Sequence, residues 1–166
     1  MTKGSSIGSS VSFINNYFET LSITRPALDI SDTVNSIINN NYFTGICPEI
    51  LNIGDNSGTI MLNNNIIVQQ ANSDGIALRG TVINNNIIAN NYISGDGTIG
   101  GAGIKFASGS QTNTIVVNNR INNFGTGIFI GTIANRTITA GNNTFGCATG
   151  INDNGVSGTT YGNITA

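Results

Sequence analysis

Asn64-Asn65-Ile66-Ile67, Asn90-Asn91-Tyr92-Ile93 and Asn118-Asn119-Arg120-Ile121 are three copies of one pattern, Asn-Asn-x-(Phe/Ile). It occurs earlier as Asn15-Asn16-Tyr17-Phe18 and Asn40-Asn41-Tyr42-Phe43, and later as Asn142-Asn143-Thr144-Phe145. With the second Asn as anchor, the copies fall at Asn16, Asn41, Asn65, Asn91, Asn119 and Asn143, at intervals of 25, 24, 26, 28 and 24 residues. Self-similarity at such a period is the mark of a solenoid.

A second element follows each anchor. It is a short apolar alternation, often opened by Gly: Leu28-Asp29-Ile30, 50–53, Gly75-Ile76-Ala77-Leu78, Gly103-Ile104-Lys105-Phe106, Gly127-Ile128-Phe129-Ile130 and Gly150-Ile151. Each coil therefore reads as strand, tight bend, strand and Gly-rich connection. The stretch 94–102 takes up the extra residues of the longest interval, and Asn84-Asn85-Asn86-Ile87 repeats the motif out of phase.

Parity decides what the Asn does. The anchor and the Phe or Ile two residues later share a strand face, so both should point inward. A buried amide is costly unless hydrogen-bonded. Stacked coils supply the partner, because each Asn can bond its equivalent one strand spacing away, at about 4.8 Å. An amide has donors and acceptors, which lets it extend a ladder as an ionised Asp cannot. The predicted fold is all-β: a single-stranded right-handed parallel β-helix of about six coils over 11–155. Residues 1–10 read as a Gly/Ser-rich leader and 156–166 as a polar tail or cap. A leucine-rich repeat has a similar period, but its Leu spacing and helical side are missing.

Composition supports this reading. Asn (28), Ile (27) and Gly (22) dominate, Leu occurs five times, and charged residues are 8% of the 166, against roughly 25% in an ordinary domain. Ile favours strands, and few residues here favour helix. The net charge is −2 and the six Lys and Arg are scattered, so no basic stripe awaits nucleic acid. No apolar run is long enough for a membrane-spanning helix. Cys47 and Cys147 should be free, because four coils at about 4.8 Å put them roughly 19 Å apart.

The signature Asn-Asn-x-Ile followed by Gly-Ile-x-Phe resembles the pectate-lyase-like right-handed β-helices, over roughly 11–155. That group includes phage tailspikes and tail fibres, and the resemblance implies a place on a virion tail or extracellular surface. It also implies a homotrimer or a part of a larger spike, with host polysaccharide as partner. The parts of the catalytic members are not found. There is no His, hence no His-dependent triad, and no cluster of Asp for calcium, so no metal or cofactor is expected.

Hydrolysis of a glycosidic bond needs paired carboxylates. Asp74 and Asp96 are the candidate pair, on adjacent coils, although both stand in Gly-rich turns where Asp is common. Tyr42 and Tyr92, outward after their anchors, and outward Lys105 are candidate sugar contacts. Phe129, apolar among polar neighbours, is a candidate oligomer contact. The expectation is a non-enzymatic module meeting host polysaccharide. The alternatives are a polysaccharide hydrolase or lyase with a site between coils or subunits, and a surface filament or adhesin.

Overall fold

The computed structural model describes residues 10–55, 57–98, 100–132 and 134–166. It is a parallel β-solenoid of about six turns, without a helix among the described residues. All strand pairs are parallel, as stacking of successive coils requires.

Each coil has three faces. The anchor face stacks Tyr17–Thr20, Tyr42–Gly45, Ile66–Gln69, Tyr92–Ser94, Arg120–Asn122, Asn143–Phe145 and Ile164–Thr165. The front face stacks Leu28–Ile30, Glu49–Ile53, the first halves of Asp74–Asn84 and Ala102–Thr112, Thr126–Ile130 and Thr149–Asp153. The back face stacks Ser12–Ile14, the second halves of Val34–Asn39 and Ser57–Asn63, then Ile87–Ala89, Ile115–Val117, Ile138–Ala140 and Thr159–Tyr161. Two faces were legible as the strands around the anchor and the Gly element. The back strand is not predicted from the motif, although a triplet with at least two apolar residues, such as Ile87-Ile88-Ala89, precedes the corner in each coil up to Ile138-Thr139-Ala140.

Inward columns fill the core. Phe43, Ile67, Ile93 and Ile121 come from the anchor face, Leu51, Ile76, Ile104 and Ile128 from the front, and Ile38, Leu62, Ile88 and Val116 from the back, all fully buried. The Gly before each front Ile makes room: a Cβ on Gly103 would collide with Ile121 Cγ2 across the core. Both cysteines are free, Cys47 buried and Cys147 half-buried. Burial pushes the Cys47 thiol up to about 11.

The Asn ladder runs the length of the molecule. Asn41 Oδ1 accepts from the Asn16 backbone N–H (2.9 Å) and from Asn16 Nδ2 (3.2 Å). The same two-donor rung recurs from Asn41 to Asn65, Asn65 to Asn91 and Asn91 to Asn119. From Asn41 onward each Nδ2 also donates to a back-strand carbonyl of the preceding coil, as Asn91 does to Leu62 O (3.0 Å). The residue before each rung turns the corner: Asn15, Asn40, Asn64, Asn90 and Asn118 have φ of 53 to 59°, the left-handed region that Asn tolerates.

The last predicted rung is corrected. Gly141 takes the left-handed corner (φ 62°), so Asn142, not Asn143, joins the ladder, accepting from Asn119 N–H and Nδ2 at 3.0 Å each. Gly162 and Asn163 repeat the arrangement one coil further on. A one-residue slip exchanges the faces of a strand. Thr144 is therefore inward and 1% exposed, while Phe145, predicted inward, lies half-buried outside with the Arg120 guanidinium 4.9 Å over its ring. The out-of-phase Asn84-Asn85-Asn86 belongs to a second corner column, with Asn35, Thr59, Asn85, Asn113 and Arg136 left-handed. There Asn86 Oδ1 accepts from Ile60 N–H (3.1 Å). The other coils place Ser36, Ile60, Thr114 and Thr137 at that position: Ser36 Oγ accepts from the Val11 N–H one coil before (3.2 Å), whereas the Thr114 and Thr137 hydroxyls have no hydrogen-bond partner among the described residues.

Removal of one interior rung should be felt by both neighbours. Asn91→Leu removes the acceptor of the Asn65 N–H, one bond of Asn65 Nδ2, and the donor to Leu62 O and Asn119 Oδ1. With two backbone groups each losing a partner at about 1–3 kcal/mol, a loss of roughly 3 kcal/mol in urea unfolding is expected. Asn143→Leu, on the outer surface, should change stability by less than about 0.5 kcal/mol; equal losses in the two variants would contradict the corrected register.

Candidate functional site

The front face carries most of the charge. Its central outward row is Asp29, Asn52, Ala77, Lys105, Phe129 and Asn152, each the register partner of the next. One row nearer the anchor strand, Glu49 and Asp74 are register partners on adjacent coils. Both are nearly enclosed, at 7% and 3% exposure.

Two cations hold these carboxylates. Arg79 Nη2 lies 3.1 Å from Asp74 Oδ2 and 3.4 Å from Glu49 Oε2, and Lys105 Nζ lies 3.1 Å from Asp74 Oδ2. Asp74 Oδ1 accepts from the Ala102 backbone N–H at 2.9 Å. The Arg79 contact to Glu49 is an ion pair without a hydrogen bond. Glu49 Oε2, Asn52 Oδ1 and Arg79 Nε are buried atoms with no hydrogen-bond partner among the described residues. Asn52 Nδ2 donates to Asp29 Oδ1 at 2.9 Å. Burial pushes the Glu49 carboxyl above its ordinary value; Arg79 opposes this, while Asp74 and Asp29 add to it.

Asp74 thus belongs to a built cluster, but its carboxylate neighbour is Glu49. Asp96 bonds Thr98, through the backbone N–H (2.9 Å) and the hydroxyl (2.6 Å), which holds its carboxyl below the ordinary range. Asp74 and Asp96 share no hydrogen bond among the described residues. Glu49 has a signal in the sequence: it opens its front strand as Asp74 does one coil later. The Gly-Ile marker that drew notice to Asp74 is simply Ile50-Leu51 there.

The remaining candidates divide between faces. Lys105 joins the cluster. Tyr42 and Tyr92 stand in the outward row of the anchor face, with Ile66 between them, each 37% exposed. Tyr17 stacks on Tyr42 with ring centroids 5.4 Å apart and planes within 4°. Phe129 is half-buried between Lys105 and Asn152. A cavity of about 230 Å³ lies in the last coil, lined by Thr144, Cys147, Ala148, Gly150, Thr165 and Ala166; it is below the roughly 300 Å³ of an ordinary ligand pocket. No described helix is long and apolar enough to cross a membrane.

No family model, curated protein or solved structure matches this chain.

The raised Glu49 carboxyl has a pH consequence. Above its ordinary value of 4.5 the folded chain holds this proton more tightly than the unfolded chain. Its contribution to stability is therefore greatest at low pH and is lost as pH rises through that window. Glu49→Gln should remove this loss, so that the variant gains on the parent as pH rises above 4.5 in urea unfolding. A parent that gains on Glu49→Gln over the same range would show Arg79 outweighing burial.

Proposed function

We propose that this chain is a β-solenoid module of a virion tailspike or tail fibre whose front face meets host-surface polysaccharide. One observation carries the reading. Arg79 and Lys105, whose side chains are 42% and 34% exposed, are ion-paired to Asp74 and Glu49 on one stretch of sheet, beside the outward position of Asn52. Sugar hydroxyls, which donate and accept, match the exposed guanidinium and ammonium donors and the amide. Lys105 and Asn152 extend the polar strip along the axis, as an elongated glycan requires, and Phe129 offers an apolar surface for a ring.

A polysaccharide depolymerase is the second reading, favoured by the stacked carboxylates. Glu49 Oε2 and Asp74 Oδ2 lie 3.4 and 3.1 Å from the same Arg79 nitrogen, which admits the roughly 5 Å between paired carboxyls of retaining enzymes. Glu49, with its raised carboxyl, suits the acid, and Asp74, ion-paired to Arg79 and Lys105, is the second carboxyl of the pair.

Retention on immobilised capsule or lipopolysaccharide, with release of new reducing ends or unsaturated uronate, separates the two. Retention that is lost in Asn52→Ala and Lys105→Ala, with no cleavage, is expected. Cleavage abolished by Glu49→Gln with the fold intact would establish the depolymerase. Retention lost only in Tyr42→Ala or Tyr92→Ala would move the contact to the anchor face and contradict the front-face assignment.

A further inference from the structure

The outer surface is divided by polarity in a way that glycan contact does not explain. Ten of the fifteen large apolar side chains exposed among the described residues lie on the anchor and back faces. The back face presents a row of Ser12, Ile37, Met61, Ile87, Ile115, Ile138 and Thr159, each in register with the next. Ile37 and Met61 are each 43% exposed. Around the Asn corner, the anchor face presents Tyr17, Tyr42, Ile66, Tyr92, Arg120, Asn143 and Ile164. Glu19 and Arg120 are the only charges on the described strands of these two faces, whereas the front strands carry Asp29, Glu49, Asp74, Arg79, Lys105 and Asp153.

We infer that the wedge formed by the anchor and back faces is where copies of this chain pack together, with solenoid axes aligned. The occupant follows from corrugation, charge and area. A stacked-coil face is ridged at the strand spacing of about 4.8 Å, and a second copy offers the same ridges, so side-chain rows interdigitate in register along the whole length. A generic globular partner has no such repeat. Almost no charge must be desolvated, which suits an equally uncharged partner surface. Seven strands make each face roughly 30 Å long, and three residues make it roughly 10 Å wide. The two faces together offer roughly 600 Å² before side-chain relief, near the roughly 800 Å² per partner of a stable interface. Arg120 fits the scheme, because its guanidinium lies over Phe145 at 4.9 Å and Tyr92 at 5.9 Å, with no ion-pair partner among the described residues. The polar front then remains outside the assembly.

Sedimentation velocity from micromolar to near-millimolar concentration tests this. The parent chain is expected to self-associate. Met61→Lys with Ile138→Lys, both outward and so compatible with the fold, should weaken association by tenfold or more. Asn152→Lys on the front face adds one charge and should leave association unchanged, with circular dichroism confirming the fold of all variants. A parent that stays monomeric throughout would overturn the inference. So would an assembly untouched by the wedge lysines but broken by Asn152→Lys. A monomer that floats with phosphatidylcholine vesicles would overturn it in favour of a lipid surface.

Discussion

A primary amide taken out of water must have all of its hydrogen bonds returned to it, and this constraint organises the molecule. In each interior rung the Oδ1 accepts two N–H groups from the coil before, while Nδ2 donates to the Oδ1 of the coil after and to a back-strand carbonyl. The set is complete only when coils are stacked in register at strand spacing. Gln would place the amide one methylene too far in, a Ser or Thr hydroxyl has a single proton to donate and cannot make both of the amide's donor bonds, and Asp lacks donors. The ladder also has polarity, because every Oδ1 faces the preceding coil. Coil length is free to vary: rungs 21 to 28 residues apart coexist, with the differences absorbed between strands, as at 95–98. The rung fixes where each coil closes, not how far the chain travels before it.

With closure fixed, the exterior can be specialised face by face. Strand alternation places three columns in the core and leaves outward rows whose chemistry repeats from coil to coil. The front rows collect the charged residues, with Arg79 and Lys105 ion-paired to Asp74 and Glu49. The anchor and back rows collect Tyr, Ile and Met. A solenoid has no other way to separate a polar recognition surface from a contact between copies, because its loops are short and its core is one side chain deep.

The fold was legible because its two signals, the Asn pair and the apolar residue two places on, are local and recur along the chain. The errors came where a neighbouring residue changed the meaning of the motif. Gly141 and Asn142 show this: with Gly in the left-handed corner, the rung moves one place back and Phe145 moves outside. The parallel run Gly162-Asn163-Ile164-Thr165 carries the same information in the sequence. The carboxylate cluster was half legible. Asp74 stands out beside its Gly, but Glu49 and Asp96 are each about one coil away, and only register between coils makes Glu49 its neighbour, while Asp96 bonds its own turn. Which outward rows are apolar depends on the third face, and the back strands hid inside what looked like a connection.

Scalar coupling across hydrogen bonds measures the ladder most directly. In uniformly ¹⁵N,¹³C-labelled protein, the backbone nitrogen of Asn119 should show a coupling to the side-chain carbonyl carbon of Asn142, and that of Asn91 to the side-chain carbonyl carbon of Asn119. Such couplings arise only where an N–H donates to that carbonyl. A coupling from Asn119 to the side chain of Asn143 instead, or none between successive anchor residues, would contradict a solenoid closed by this column.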